Sequence, residues 1–373
     1  MPDPSRVLTI KVPFDTPVGS SVYIAGDFNG WSPSHPMART TVQDGGVVRF
    51  AFPADLDRAE FKITRGSWDT VECSKSGDQV GNRSWTTDSH NGDLTIEVGG
   101  WCDMHPGTVR WRPKHTVVGD LRVIKDVFSP QLGNMRDVLV WLPPNHDAQK
   151  DERLPVIYMH DGQNLFDHVT AYDKEWEVDE ISTELAERES LRHIVVGINN
   201  MGLARLHEYS PWEDDFRKSR GHGERYVRFI LQTVKPLIDR QFRTKPEREF
   251  TAVAGSSLGG LISLYAGLTR ADSFSFAACL SPTMNVAGGR ILRSAVSFSG
   301  DVRFWIDYGA REFGGNRELS NQMIEAVHEC ARTLRSNGVD ARSYVDPVGE
   351  HNETSWRRRM PDIFRWWHEQ MPK

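Results

Sequence analysis

Two periods of hydrophobicity divide this chain. Up to about residue 98, apolar and polar positions alternate in short runs, the period-two signature of half-buried strands. The runs are Val7–Val12, Ser21–Ala25, Val47–Phe52, Glu60–Thr64 and Leu94–Val98. Gly-Asp-Phe-Asn-Gly at 26–30 and Asp-Gly-Gly at 44–46 punctuate them as turns. This pattern predicts a small all-β sandwich over 1–99. Residues 100–114, rich in Gly and Pro, read as a linker.

From His115 the pattern changes. Two extended segments, Val117–Phe128 and Met135–Leu142, precede short, continuously apolar runs at Leu154–His160, His193–Asn199, Phe250–Ala254, Phe274–Leu280, Val302–Tyr308 and Ala341–Val345. Helical stretches separate them, at Trp176–Arg188, Gly223–Arg240, Leu258–Thr269 and Arg317–Asn337, and Thr354–Gln370 follows the last run. Strands apolar on both faces and alternating with helices predict a mostly parallel sheet covered on both sides. The opening pair predicts an antiparallel edge. The expected fold is α/β over 115–373, with its chemistry beyond the carboxyl ends of the strands.

The segment Gly255-Ser256-Ser257-Leu258-Gly259 sits between a predicted strand and a predicted helix. A G-x-S-x-G turn in that setting crowds its own backbone, so glycines flank it and the serine hydroxyl is lifted clear at the strand end. The helix that follows aims unpaired N–H groups at any oxyanion forming there. Ser257 is therefore the expected nucleophile. Where such a turn carries a nucleophile, the known chain order is serine, then acid, then histidine, and three histidines follow Ser257. His328 and His368 fall within predicted helices, whereas His351 lies in a polar loop after the last strand and is the expected base. For the acid, Glu312 follows the strand ending at Tyr308 and is preferred. Asp307 within that strand and then Asp346 are the alternatives. The oxyanion donors are expected at Leu258 and in the loop His160-Asp161-Gly162-Gln163-Asn164, at Gly162 or Gln163. His160 has no second histidine or carboxylate at metal spacing and reads as a hydrogen-bonded packing residue.

These stretches resemble the putative esterase (esterase D-like) family, which includes enterochelin, feruloyl and acetyl-xylan esterases. The resemblance rests on Leu154-Pro-Val-Ile-Tyr-Met-His-Asp-Gly-Gln-Asn-Leu-Phe166, Glu175-Trp-Glu-Val-Asp179, Glu208-Tyr-Ser-Pro211, Gly255-Ser-Ser-Leu-Gly-Gly260 and Gly349-Glu-His-Asn-Glu-Thr-Ser-Trp356. It implies an α/β-hydrolase fold, a triad of Ser257, Glu312 and His351, and no cofactor or metal. Residues 15–98 resemble a starch-binding module through Val22-Tyr-Ile-Ala-Gly-Asp-Phe-Asn-Gly-Trp31, Phe61-Lys-Ile-Thr-Arg-Gly-Ser-Trp68 and Gly81-Asn-Arg83. That resemblance implies an immunoglobulin-like sandwich in which Trp31 and Trp68 stack on sugar rings while Lys62 and Asn82 bond hydroxyls. Trp85 is expected to extend the platform, and a plain spacer is the competing role.

Composition narrows the partners. A formal charge of -6 over 373 residues offers no basic face for nucleic acid or anionic lipid. No apolar run approaches the roughly 20 residues that cross a bilayer. Without an apolar leader, and with four scattered cysteines, the chain reads as cytoplasmic, unless it was exported and its leader removed. The expected activity is a serine carboxylesterase acting on a carbohydrate-linked ester. A siderophore trilactone esterase, an acyltransferase to a sugar and a non-catalytic glycan binder are the competing functions.

Overall fold

The computed structural model describes residues 7–53, 56–78, 80–87, 94–104, 115–172, 174–314, 316–369 and 371–372. The chain divides into two compact units, Met1–Lys114 with Met201–Ala204, and His115–Asn200 with Arg205–Lys373.

The first unit contains β1 (Val7–Lys11), β2 (Ser21–Gly26), β3 (Arg39–Thr41), β4 (Val47–Ala51), β5 (Arg58–Thr64), β6 (Glu72–Cys73), β7 (Arg83–Thr86), β8 (Leu94–Glu97) and β9 (Gly100–Trp101). They form sheets ordered β4-β1-β8 and β3-β2-β5-β7, with β6 and β9 as a separate pair. Alternation decides which side chains face inward. Leu8, Ile10, Val48, Phe50 and Ile96 from one sheet meet Val22, Ile24, Phe61, Ile63 and Trp85 from the other in one core. Trp85 does not extend a sugar platform. It is fully buried and stacks on Phe52 with ring centroids 4.4 Å apart. Gly100 and Trp101, expected in the linker, instead pair with Cys73 and Glu72. Residues 105–114 of that expected linker lie outside the described residues.

In the second unit the chain runs β10 (Asp120–Ser129), β11 (Asn134–Leu142), β12 (Val156–His160), α1 (Val178–Glu189), β13 (Ile194–Ile198), α2 (Ala204–Glu208), the short hairpin β14 (Glu213–Asp214) and β15 (Ser219–Arg220), and α3 (Gly223–Phe229). It continues through α4 (Lys235–Gln241), β16 (Thr251–Ser256), α5 (Leu258–Thr269), β17 (Phe276–Leu280), α6 (Arg290–Val296), β18 (Arg303–Gly309), α7 (Arg317–Ser336), β19 (Ala341–Asp346) and α8 (Glu353–Glu369). One eight-stranded sheet runs β10-β11-β13-β12-β16-β17-β18-β19. From β13 to β19 neighbouring strands are parallel, and β10 and β11 make the antiparallel edge. The two faces are read by alternation. Val156 and Tyr158 of β12 face the core built with α3, α5 and α7, while Ile157 and Met159 face α1 and α8.

The predicted single helix over 223–240 is interrupted. Ile230–Val234 form a π-helical turn between α3 and α4. Pro236, in the first turn of α4, has no N–H and its ring crowds the carbonyl four residues back. Widening the preceding turn relieves that clash. Among the described residues, no helix is long and apolar enough to cross a membrane.

Candidate active site

Ser257 sits between β16 and α5 with φ 58° and ψ -121°, a region that costs a non-glycine residue about 1–3 kcal/mol. The fold holds it there from several sides. Its N–H donates to Leu280 O at 3.0 Å, and its carbonyl accepts from Leu261 N and Thr283 N. Gly255 explains the first glycine of the sequence pattern directly. A Cβ on Gly255 would meet His160 Cδ2 at 2.7 Å and Gly259 backbone at 2.9 Å. Only with the side chain of residue 255 absent can β16, the first turn of α5 and the end of β12 close together.

His351 lies in the loop between β19 and α8. Its Nε2 is 3.0 Å from Ser257 Oγ, and its Nδ1 is 2.7 Å from Glu312 Oε2. The Glu312 side chain is 1% exposed while that of His351 is 38% exposed, so the acid is shielded and the imidazole reaches solvent. Glu312 Oε1 accepts from Gly309 N at 2.7 Å and from the Ser281 hydroxyl. Tyr308, beside it, has its phenol held well above the ordinary value by burial and then by the Glu312 charge. The structure thus brings Ser257, His351 and Glu312 into one hydrogen-bonded line.

The alternative acids are engaged elsewhere. Asp307 is fully buried; it pairs with Arg359 and accepts from Trp305 Nε1 at 2.8 Å. Burial pushes its pKa up to about 6, against the pull of Arg359. Asp346 pairs with Arg358 at 2.7 Å. His328 bonds Ser343 Oγ at 3.1 Å, and His368 Nε2 meets His193 Nδ1 at 3.0 Å, so both pack within the fold away from Ser257.

Gly162–Asn164 form a 3-10 turn directly after β12, and Leu258 opens α5. The N–H groups of such first-turn positions have no acceptor within their own helix. A Cβ on Gly162 would meet Gly197 backbone at 2.6 Å, so glycine alone lets this loop lie against β13. Asp161 enters the turn at φ 56° and is anchored by Arg205 at 2.7 Å and Asn200 Nδ2 at 2.7 Å. His160 is buried; its Nδ1 meets Tyr226 OH at 3.0 Å. Burial pushes its pKa down to about 3, so it is neutral at physiological pH and serves as a packing group. Among the described residues, no cluster of His, Cys, Asp and Glu is arranged to hold a metal ion.

Sequence reasoning missed Ser281, Arg359 and the Asp161–Arg205 anchor. Ser281 had one signal, its place at the carboxyl end of the strand beside the elbow. Arg359 and Arg205 had none, because their partners lie 52 and 44 residues away.

In the β-module, Trp31 (φ 57°) follows β2 and Trp68 opens a 3-10 turn after β5, and both indoles are partly exposed. The Thr64 hydroxyl, at the end of β5, donates to Pro33 O and ties these two loops together. Lys62, Val80, Gly81 and Asn82 line a recess of about 420 Å³. Lys62 Nζ donates to Val80 O, and burial holds its pKa below the ordinary lysine value. Asn82 Nδ2 lies 3.4 Å from Glu60 Oε2.

A family model described as Putative esterase matches residues 129–367. The protein YbbA of Bacillus subtilis (strain 168) is 25% identical over 222 residues, which are 58% of this chain and 84% of YbbA. An alpha-amylase of Niallia circulans is 34% identical over 101 residues, 27% of this chain and 8% of the amylase. The solved enterobactin esterase of Shigella flexneri, in the presence of enterobactin, shares the fold. That alignment has a TM-score of 0.55 at 16% identity and covers 97% of this chain and 92% of that one.

Proposed function

The chain belongs to the Putative esterase family and is a carboxylic ester hydrolase, and from that premise we propose that it works through a Ser257–His351–Glu312 triad and an acyl-enzyme. The hydrogen-bonded line from Ser257 Oγ through His351 to Glu312 carries this reading. His351 Nε2 takes the Ser257 proton as Oγ attacks the ester carbonyl. The carbonyl π electrons move onto oxygen, and the N–H groups of Leu258 and of Gly162 or Gln163 receive that charge. The tetrahedral adduct collapses, the C–O bond to the alcohol breaks, and His351 returns its proton to the departing oxygen. Water then repeats the sequence on the acyl-enzyme and releases the acid. Glu312 holds the Nδ1 proton in place and balances the imidazolium that forms at each step.

The substrate we propose is an ester attached to carbohydrate. Trp31 and Trp68 would supply flat apolar faces for sugar rings, and Lys62 and Asn82, which line one recess, would bond hydroxyls. The stretch shared with an alpha-amylase is about the length of the β-module, which supports this assignment. A siderophore trilactone is the second reading, favoured by the fold shared with an enterobactin esterase over nearly the whole chain. The test is hydrolysis of acetylated and feruloylated oligosaccharides against a trilactone, by wild type and by Ser257→Ala. Ser257→Ala should lose about 10⁶-fold in kcat. Turnover of the trilactone alone would remove the carbohydrate assignment, and an active Ser257→Ala would remove the triad.

A further inference from the structure

We propose that Ser281 is a positioning residue for catalysis, a hydroxyl with a single permitted direction that orients Glu312 and, through it, the Nδ1 proton of His351. The proposal rests on the triad reading above and extends it to the residues behind the acid.

A serine hydroxyl has one proton and two lone pairs. Ser281 Oγ receives Trp356 Nε1–H at 2.9 Å and Arg359 Nη2–H at 3.3 Å. Indole and guanidinium nitrogens only donate, so both lone pairs of Ser281 are taken. Its own proton has one remaining acceptor, Glu312 Oε1. Gly309 N–H donates to the same oxygen at 2.7 Å, which leaves Oε2 to face His351 Nδ1 at 2.7 Å. The carboxylate therefore cannot rotate without breaking two bonds on its far side. With Nδ1 committed as donor, Nε2 is the nitrogen free to accept from Ser257.

Ser281 is itself over-determined. It has φ 44°, rare for a residue with a Cβ, and is 1% exposed. Its N–H donates to both Asp307 O at 3.0 Å and Asp307 Oδ1 at 3.1 Å. Asp307 is also the partner of Arg359, with side chains 0% and 2% exposed. One buried ion pair thus fixes Ser281 at its backbone and at its hydroxyl. Trp356 adds a second tie, because its ring packs against that of His351 in a T-shaped contact with centroids 5.1 Å apart. Strain is held where the surroundings enforce it, and here they enforce the direction of one hydroxyl.

The test uses full-length Ser281→Ala, read by stopped-flow acylation and steady-state turnover of p-nitrophenyl acetate. The acylation rate and kcat should fall by about 10- to 100-fold, the range spanned by losing one hydrogen bond to a charged group. KM should stay within about twofold, because Ser281 touches no substrate. In a Glu312→Gln background the same substitution should cost less than about threefold, since a residue that acts through Glu312 has nothing left to position. Trp356→Phe retains the Ser281 hydroxyl but frees one lone pair, and should give a smaller loss in kcat. Wild-type acylation in Ser281→Ala, or losses that multiply fully in the double variant, overturns the proposal. Ser257→Ala run alongside separates the two levels. If it is inert while Ser281→Ala is unaffected, only the positioning role fails; if it turns over, the triad fails first.

Discussion

Arg136 and Glu208 form a bidentate ion pair, 2.8 Å at each contact, with side chains 0% and 3% exposed. Burial opposes the charge on Arg136, and Glu208 outweighs it. The guanidinium also lies over the rings of Tyr226 and Phe229 at 5.6 and 5.1 Å. Tyr226 in turn bonds His160, at the start of the loop that carries Gly162 and Gln163. Glu208→Ala leaves a buried, unpaired cation and should cost about 3–5 kcal/mol. The midpoint of thermal unfolding should then drop by roughly 10 °C, at 2–4 °C per kcal/mol for a domain of this size. The double change Arg136→Met with Glu208→Leu should recover most of that loss. A Glu208→Ala protein as stable as wild type would show that water reaches the pair.

Glu312→Gln keeps the shape of the acid but can present an N–H where His351 Nδ1 needs an acceptor. About 10⁴-fold should be lost from kcat with KM little changed, the magnitude known for the equivalent change in serine proteases. A loss confined to KM would place Glu312 in substrate binding instead.

Two buried histidines, His160 and His193, and the partly buried His368 set a sensitivity to acid. Burial lowers His160 to about 3 and His368 to about 4, and holds His193 well below its ordinary value. Their folded pKa values lie below the unfolded value of 6.5, so only the unfolded chain takes up these protons between pH 6.5 and about 4. The stability they contribute is present above 6.5 and is lost as pH falls through that window, by about 1.4 kcal/mol per pH unit for each. Asp179, held well above its ordinary value by burial, and Asp307, raised by burial to about 6, act in the opposite sense over part of the same range. The informative quantity is therefore a difference. Replacing both His193 and His368 by Gln should flatten the pH dependence of urea-unfolding stability between pH 6.5 and 4.5 by about 2–3 kcal/mol per unit. Parallel curves for variant and wild type would mean that both imidazoles are already protonated in the folded state.

For the β-module, Trp31→Ala and Trp68→Ala should each weaken maltoheptaose binding by about tenfold or more, with esterase turnover of a small soluble ester unchanged. The wild-type affinity should itself be weak, because open-surface stacking returns little after ordering costs. Titration calorimetry reads the first effect directly. Equal binding by wild type and both variants would reduce the module to a spacer.

What the sequence determined by itself was local. The helix predicted over Leu258–Thr269 is the helix observed, because a turn that demands small residues must be followed by a helix-forming run. The parallel strands were legible because burial on two faces leaves no polar position in β12, β13 or β17 other than the terminal His160. The placement of Ser257 at the turn before α5 and of His351 in the loop after β19 followed from the same logic, one by turn sterics and the other by its position after the last strand. Tertiary structure decided what depends on pairing across the chain. Asp307 and Glu312 stand five residues apart with the same chemistry, and only the approach of Arg359 and Ser281 separates a structural anion from the partner of His351. Trp85 reads like Trp31 in the sequence, yet strand pairing turns it onto Phe52 inside the sandwich. Periodicity and turn sterics act between residues a few positions apart and leave a pattern in the chain. A hydrogen bond between residues 31 or 52 positions apart leaves none, since the long loops that close it carry no trace of their partner.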